Sequence, residues 1–400
     1  MQLLDEAQAL FPYTQALRRD FHRHPELGFN EIRTSSIVAE ELQKLGLDVT
    51  TGIATTGVVG LLRGIKESPV LLLRFDMDAL PILEENNVDY VSQNPGVMHA
   101  CGHDSHTAVG LTIAKILANH KHNLEGTIKF VFQPAEEGPG ANADTIYGGA
   151  FAMVQDGVLT DPVPDFAMAM HVWNEQPVGW FGITHGPVMA GGDIVKIRIS
   201  GKGGHGASPH LAIDPVLASA HVITALQSIV SRNVPPLESA VVSITHVEGG
   251  SAFNIIPPYV DMEGTIRTFL PEVHKRVASR FKEIVFGVAE SMGCQAEISL
   301  NTITFPVIND PRVAALLEGL AAKMLTNVTI DTTFQTMGSE DMSFLMRNIP
   351  GCFILVGSAN PEKGLDFGHH HPKFDIDETC LPNAIALLAQ GSIDLLKNPF

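Results

Sequence analysis

Four short stretches of this chain are apolar at nearly every position, and they constrain the fold more than any other feature. A strand that faces solvent on one side alternates apolar and polar residues, whereas a strand covered on both sides is apolar throughout. Helical patterns, such as those at 107–119 and 148–156, lie between these stretches. The alternation predicts an α/β layered fold with a mostly parallel sheet. The four stretches span 57–63, 70–75, 127–132 and 166–170.

The pattern changes near residue 190, because residues 193–200 alternate as a half-exposed antiparallel strand does. The elements that follow complete a β-α-β-β-α-β order, which is typical of a ferredoxin-like unit. We therefore expect one α/β domain, 1–188 and 305–400, interrupted by an inserted α+β domain at 189–304. The insert has helices at 215–232 and 271–292 and strands at 240–247, 259–269 and 295–304. Outside it we expect helices at 13–24, 34–45, 313–325 and 381–397 and a strand at 352–356.

Composition and charge disfavour several classes of partner. The formal charge is −18 over 400 residues, which disfavours nucleic acid and anionic membrane surfaces. No stretch reaches the ~18 uncharged apolar residues of a membrane helix, and the first residues, MQLLDE, lack the features of a secretory signal. The four cysteines are widely spaced and form no disulfide framework. We expect a protein of the reducing cytoplasm.

A thiol and an imidazole lie two residues apart in the segment 98–104, MHACGHD. Gly102 permits a tight turn between Cys101 and His103, so both side chains can face one point. A thiolate and a neutral imidazole suit zinc and its neighbours. Taken alone, the segment fits equally well a buried thiol beside hydrogen-bonded histidines.

Acids and a histidine follow three of the predicted strands. Asp76 and Asp78 follow the second strand, Glu136 and Glu137 follow the third, and His171 follows the fourth. Sites in open α/β sheets form beyond the carboxyl ends of the strands. We therefore expect these side chains to meet at one edge of the sheet.

The adjacent pair Glu136-Glu137 permits a division of work. One carboxylate can bind a metal while the other takes a proton from a water that the metal activates. The alternative is a solvated acidic pair, but its position directly after a buried strand favours function. Three consecutive histidines, 369 to 371, add a further candidate ligand beside a proline. The alternative for that segment is a flexible polar loop.

These motifs, in this order, resemble the zinc-peptidase-like amidohydrolases, which include hippurate hydrolases, N-acyl-amino-acid amidohydrolases and plant indole-acetyl-amino-acid hydrolases. The resemblance covers nearly the whole chain. It implies a three-layer αβα zinc-peptidase-like catalytic domain with an inserted ferredoxin-like lid and dimerisation domain. The motifs are 19–31 (RDFHRHPELGFNE), 76–81 (DMDALP), 99–104 (HACGHD), 133–138 (QPAEEG), 203–210 (GGHGASPH), 264–268 (GTIRT) and 370–374 (HHPKF).

The resemblance also implies roles for individual residues of the catalytic domain. Cys101 would bridge two divalent metal ions, Glu136 would be the general base, and Asp78 would hold an imidazole in place. His370 fits the family motif better than His369 or His371, because one residue separates it from the proline. The ions would be zinc or manganese, with nickel or cobalt as alternatives. The implied ligands are Cys101, His103, Glu137, His171 and His370.

Three residues of the insert are implied at the substrate. His205, contributed by the partner subunit, would stabilise the oxyanion, and Asn254 and Arg267 would hold the free carboxylate of the substrate. Without the resemblance, Arg267 fits better as an exposed strand residue in a surface ion pair. Gly206 departs from the Ala or Ser common in relatives, and we expect it to loosen the His205 loop.

The expected function is metal-dependent hydrolysis of the amide bond in N-acyl-L-amino acids, hippurate-like or N-acetyl, which releases a carboxylic acid and an amino acid. Two alternatives stay open. One is a dipeptidase or carboxypeptidase on the same scaffold. The other is a non-catalytic binding protein, which the Glu136-Glu137 pair disfavours. The expected partners are small N-acyl amino acids and a second copy of the chain, as a homodimer or a tetramer.

Overall fold

The computed structural model describes residues 2–138 and 145–400, which form two compact units. One unit extends to Val188 and includes Ile308–Gln335 and Asp341–Phe400, and the other consists of Met189–Val307 and Thr336–Glu340. The helices are α1 (Gln2–Ala9), α2 (Phe11–Arg23), α3 (Ile32–Lys44), α4 (His103–Asn119), α5 (Gly149–Gln155), α6 (Pro215–Ser228), α7 (Pro271–Ser291), α8 (Pro311–Met324), α9 (Met342–Met346) and α10 (Leu381–Lys397). The strands are β1 (Asp48–Ile53), β2 (Gly57–Arg63), β3 (Val70–Asp76), β4 (Thr127–Gln133), β5 (Phe166–Pro177), β6 (Trp180–Gly182), β7 (Gly186–Met189), β8 (Gly191–Ser200), β9 (Gly204–His205), β10 (Ala240–Glu248), β11 (Ile255–Ile256), β12 (Tyr259–Thr268), β13 (Gln295–Thr304), β14 (Val307–Asn309), β15 (Thr329–Asp331) and β16 (Gly351–Ala359).

An eight-stranded sheet forms the centre of the first unit, in the order β1-β2-β4-β3-β5-β16-β6-β15. Its middle strands β4, β3, β5 and β16 are parallel, whereas β2 pairs antiparallel with β4. Every residue of β3, β4 and β16 is buried, so both faces of the central sheet are covered. This is what a continuously apolar strand requires, and the predicted α/β fold class is confirmed.

Two buried helices, α4 and α10, pack on this sheet and on each other. Gly110 lets α4 approach closely, because a Cβ at that position would lie only 2.5 Å from Phe75 Cδ2. By length and composition, Glu378–Lys397 is the one helical segment of the described chain that could cross a membrane, and 72% of it is buried in the fold.

The second unit contains a four-stranded antiparallel sheet in the order β10-β12-β8-β13. Helices α6 and α7 pack against it, and the chain order is the predicted β-α-β-β-α-β. Burial alternates along β8, as its sequence predicts. Helix α6 ends at Ser228, four residues before the predicted end, and a π-helical turn follows over Ile229–Asn233.

A fully buried arginine of α2 joins two segments of the first unit that carry site residues. Arg18 on α2 pairs with Asp104 at 2.8 Å, Asp375 at 2.6 Å and Glu378 at 3.2 Å. Asp104 lies in the first turn of α4 and Asp375 follows the histidine cluster. Because a buried charge is stable only when it is paired, this contact fixes both segments relative to α2.

Candidate metal centre

The parallel strands β3, β4 and β5 bring their polar residues to one edge of the sheet. Asp76 is the last residue of β3, and Glu136 and Glu137 follow β4. His171 lies inside β5 rather than after it, because β5 continues beside β16. Donor atoms from these segments lie in groups of three within 4.8 Å of one another. The structure therefore brings these predicted residues together.

Cys101 and His103 reach the same place from the turn that begins α4. Gly102 between them has φ +91°, and a Cβ there would lie 2.3 Å from Val172 Cγ2. Both the positive φ and the close approach of Val172 require a glycine at position 102. Cys101 Sγ lies 3.4 Å from His171 Nε2, so Cys101, His103 and His171 form one buried donor group.

Asp78 orients two candidate ligands at once. His103 Nδ1 lies 3.0 Å from Asp78 O and 3.1 Å from Asp78 Oδ1, and Asp78 Oδ2 accepts the Glu137 N–H at 3.0 Å. Donation from Nδ1 leaves His103 Nε2 as the atom that faces the cluster. Among the described residues, that buried nitrogen has no hydrogen-bond partner. An imidazole held on one side and open on the other has the arrangement of a metal ligand.

His369 and His370 both reach the cluster, by different atoms. His370 Nε2 lies 3.0 Å from Glu137 Oε1, and the two residues form a donor group with Cys101. His369 Nδ1 lies 3.7 Å from Cys101 Sγ, while its Nε2 accepts the Asn174 N–H at 3.2 Å. His370 therefore presents one nitrogen to Glu137, and His369 presents one nitrogen to the Cys101 thiol.

His371 is oriented differently. Its ring stacks on Phe367 with centroids 4.5 Å apart, and its Nδ1 accepts the Lys373 N–H at 3.0 Å. It belongs to none of the donor groups in the described part of the chain.

The charges of the cluster favour a bound cation. Burial, together with the carboxylates of Glu137 and Glu136, holds the pKa of the Cys101 thiol well above its usual value. Burial, reinforced by the imidazoles of His106 and His369, holds the pKa of His171 well below its usual value. His171 is thus neutral and ready to ligate, whereas Cys101 becomes a thiolate only beside a positive charge. Thiolate, imidazole and carboxylate together fit divalent transition metals.

Glu136 differs from Glu137 in its surroundings. Its Oε2 lies 3.8 Å from His103 Nε2, and its Oε1 accepts a long 3.5 Å hydrogen bond from the Asp341 N–H. Glu137 instead points its Oε1 at His370. The two adjacent carboxylates therefore contact different histidines of one cluster.

His106, which packs against the ring of His171, is not among the site residues predicted from the sequence. His106 Nδ1 lies 2.6 Å from Asp76 Oδ1, and His106 Nε2 accepts the Val172 N–H at 3.0 Å. Both ring nitrogens are used, so His106 ties α4 to β3 and β5, although it also forms a donor group with Asp76 and His103. Its spacing of three residues from His103, which places both on one helix face, was the available signal.

In the second unit, His205 is an exposed residue of β9. Its Nδ1 accepts the Ala207 N–H at 3.0 Å, so the proton of the neutral ring is on Nε2, which can donate. Gly206 donates its N–H to Asn254 O at 2.8 Å, and a Cβ at 206 would lie 3.2 Å from Asn254 O. Glycine at 206 thus permits a close backbone contact, and the expectation that it loosens this loop stays a prediction.

Arg267 is partly buried on β12 and lies across Gly192 of the neighbouring strand, where a Cβ would fall 2.5 Å from Arg267 Nη1. Its guanidinium donates to Thr265 Oγ1 at 3.1 Å and to Ser339 Oγ. No carboxylate pairs with it among the described residues, and the surface ion pair that the sequence alone favoured is not formed. A partly desolvated guanidinium with only hydroxyl partners is suited to an anionic ligand.

Comparison with known proteins identifies relatives of this chain. A family model described as peptidase family M20/M25/M40 matches residues 72–391. The chain is 38% identical to IAA-amino acid hydrolase ILR1-like 4 of Arabidopsis thaliana, over 95% of this chain and 84% of the relative. It is 37% identical to N-acetylcysteine deacetylase of Bacillus subtilis, over 95% and 96%. The solved structure of the Bacillus subtilis YXEP protein, described as a dinuclear metal binding peptidase, has a TM-score of 0.84 and 33% identity over 98% of this chain and 99% of that one.

The donor set predicts that Cys101→Ser lowers the metal content of the purified protein, because a hydroxyl is a poor ligand where a thiolate is lost. Metal bound per chain is measured by mass spectrometry after dialysis against zinc or manganese. Cys294→Ser, a buried thiol of the second unit whose Sγ contacts Asp214 O, serves as the control. Equal metal content in the two variants would contradict the assignment of Cys101.

Proposed function

This chain belongs to peptidase family M20/M25/M40, and on that premise we propose that it hydrolyses the amide bond of N-acyl-L-amino acids. The products are a carboxylic acid and a free amino acid. We propose further that two divalent metal ions, zinc or manganese before nickel or cobalt, are held by Cys101, His103, Glu137, His171 and His370. Metal analysis of protein purified without added metal tests their identity, and protein that is active without bound metal would contradict this.

The observation that carries the proposal is the separation of the two adjacent carboxylates. Glu137 lies 3.0 Å from His370 within a donor group that includes Cys101, as a ligand would. Glu136 Oε2 lies 3.8 Å from His103 Nε2, and its Oε1 accepts a backbone N–H at 3.5 Å. Glu136 shares a donor group with His103 and Glu137, but it belongs to neither of the described groups that contain Cys101, which supports a base beside the centre. Hydrolysis at a metal needs one fixed ligand and one base that moves protons.

The mechanism assigns one proton path to Glu136. When bound, the metal ions polarise the scissile carbonyl and lower the pKa of the attacking water. Glu136 accepts the proton of that water as it attacks, and then delivers the proton to the leaving amine nitrogen. Asp78 keeps the His103 ring and the Glu137 backbone in place throughout, through the contacts described above.

We assign the substrate contacts of the second unit by the same family premise. His205 donates from Nε2 to the developing oxyanion, which the acceptor role of its Nδ1 supports. Arg267 and Asn254 hold the free carboxylate of the amino acid. The partly buried guanidinium of Arg267, bonded only to hydroxyls among the described residues, supports this role.

A substrate panel tests the reaction class. We expect N-acetyl and N-benzoyl amino acids to release free amino acid faster than dipeptides with a free amine, and we expect chelation to abolish release and metal to restore it. Glu136→Gln should lower kcat by ~10²–10⁴-fold with unchanged metal content, because proton transfer is lost while ligation stays. Glu125→Gln, a surface glutamate paired with Lys66, is the matched control.

Faster cleavage of dipeptides would make the chain a dipeptidase or carboxypeptidase instead. Metal-loaded protein that cleaves neither N-acyl amino acids nor dipeptides would favour the alternative of a non-catalytic binding protein. Wild-type activity in Glu136→Gln would refute Glu136 as the base.

Arg267→Lys should raise KM for substrates with a free carboxylate by roughly 10–100-fold, since charge-assisted hydrogen bonds contribute about 1.5–3 kcal/mol. Lys cannot reproduce the planar fork of Arg. KM is measured on an N-acetyl amino acid and on its amide. Arg198→Lys, an exposed arginine of the same sheet paired with Asp261, is the control. An equal rise for the acid and the amide would show that Arg267 does not contact the carboxylate.

We propose that the chain forms a homodimer, with a tetramer as the alternative. Large apolar side chains are exposed in the second unit on and near α6 and on the loop before β11: Leu211 (65%), Val216 (47%), Leu217 (51%) and Phe253 (102%). Exposed apolar groups of this kind mark an interface when they lie together. The proposal includes His205 acting in the active site of the other subunit.

Sedimentation analysis tests the dimer. We expect Leu217→Glu to form monomers that keep their metal and lose activity. Leu83→Glu should stay dimeric, although Leu83 of the first unit is more exposed, at 66% against 51% for Leu217. A monomeric wild-type protein with full activity would contradict both parts of the proposal.

We also propose a reducing compartment, the cytoplasm, because all four cysteines are unpaired and buried. Recovery of the protein in an oxidising compartment on cell fractionation would contradict this.

A further inference from the structure

A buried acid far along the chain contacts the proposed base through its own backbone. The N–H of Asp341 donates to Glu136 Oε1 at 3.5 Å, across 205 positions of sequence. The other carboxylate oxygen of Glu136 lies 3.8 Å from His103 Nε2. Asp341 therefore contacts Oε1 of Glu136, whereas the oxygen near His103 is Oε2. The mechanism above assigns no role to Asp341.

The Asp341 side chain is locked in place by three segments of the first unit. Gln133 Nε2 donates to both of its oxygens, at 2.7 and 2.9 Å. The Ala150 N–H donates to Oδ2 at 3.0 Å, and Arg74 Nη2 lies 3.1 Å from Oδ1. Arg74 and Gln133 are both fully buried. A carboxylate with this many charge-assisted and backbone partners has a single orientation.

These partners flank the turn that carries Glu136. Gln133 is the last residue of β4, three positions before Glu136, and Ala150 lies at the start of α5. Arg74 completes the network, because its Nε also donates to Gln133 Oε1 at 2.8 Å. Gly148 leaves little free space, since a Cβ there would lie 2.8 Å from Asp341 Oδ2 and 3.4 Å from Glu136 O.

We propose that Asp341 is a positioning residue for the general base. Its carboxylate, fixed by Arg74, Gln133 and Ala150, fixes in turn the backbone N–H that engages Glu136 Oε1. This contact holds Glu136 in the orientation that turns its other oxygen toward His103 and the reacting water. The inference rests on the proposed function, in which Glu136 moves the proton.

Asp341→Asn tests the proposal, because it keeps the size of the side chain and removes the charge that Arg74 and Gln133 hold. A reacting group displaced by about 1 Å can cost ~10²-fold in rate, so we expect kcat to fall by ~10–100-fold with unchanged KM and metal content. Asp310→Asn is the matched control, since Asp310 also accepts a backbone N–H and pairs with an arginine, Arg312, at the start of α8. We expect the control to keep wild-type kcat.

A double-variant cycle separates positioning from a general structural effect. If Asp341 acts through Glu136, adding Asp341→Asn to Glu136→Gln should leave the residual kcat of the single Glu136→Gln variant unchanged. The proposal would be overturned if Asp341→Asn lowered kcat in the Glu136→Gln background by the same factor as in the wild-type background. A fall in metal content would also overturn it. Full activity of Glu136→Gln alone would instead overturn the assignment of Glu136 as base, and with it the proposed mechanism.

Should Asp341→Asn fail to fold, Gln133→Met carries the same test. Methionine is close to glutamine in size and removes both side-chain donors to Asp341. We expect a smaller loss of kcat, again absent in the Glu136→Gln background. Wild-type kcat in a folded Gln133→Met protein would overturn the proposal.

Discussion

The structure depends on the concentration of acids, imidazoles and a thiol at one covered edge of the central sheet. Negative charge in a buried site is unstable unless a cation offsets it. Protein cations do this for the deepest acids: Arg74 pairs with Asp76 and Asp341, and Arg18 pairs with Asp104 and Asp375. The Cys101 thiol faces the imidazole of His171, and burial, together with the carboxylates of Glu137 and Glu136, raises its pKa. A divalent ion there would supply the remaining positive charge.

Left-handed backbone delivers the donors to that edge. The three loops that carry candidate ligands each contain at least one such residue, among them Gly102 at φ +91°, Ala135 at φ +47° and His370 at φ +64°. A residue with a Cβ adopts this conformation only when its surroundings enforce it. For Ala135 the surroundings are identifiable, because the buried Glu31 accepts its N–H at 2.8 Å and Gly149 donates to its carbonyl oxygen at 2.8 Å. The fold thus stabilises a strained turn where two adjacent carboxylates, Glu136 and Glu137, diverge.

The parts that could be predicted from the sequence are those that local pattern determines. Continuous apolar runs located β3, β4 and β5, and their order along the chain placed Asp78, Glu136 and His171 at one edge. The length and the direction of a strand were harder to predict, because both depend on the neighbouring strands. Strand β5 continues past His171, and β2 pairs antiparallel with β4. The supports of the site were not predictable from spacing at all. His106 acts through Asp76 and Val172, and Asp341 reaches Glu136 from 205 positions away, and no periodicity reports such long-range contacts.

The central claim is that two metal ions occupy this cluster while Glu136 stays outside their coordination. Anomalous diffraction from crystals of the zinc-loaded protein tests it most directly. We predict two metal peaks that share the Cys101 sulfur at about 2.3 Å and are bound by imidazole nitrogens at about 2.0–2.1 Å. Glu137 should be a ligand, and Glu136 should not. No peak within the cluster, or a metal bound directly by Glu136, would contradict the account.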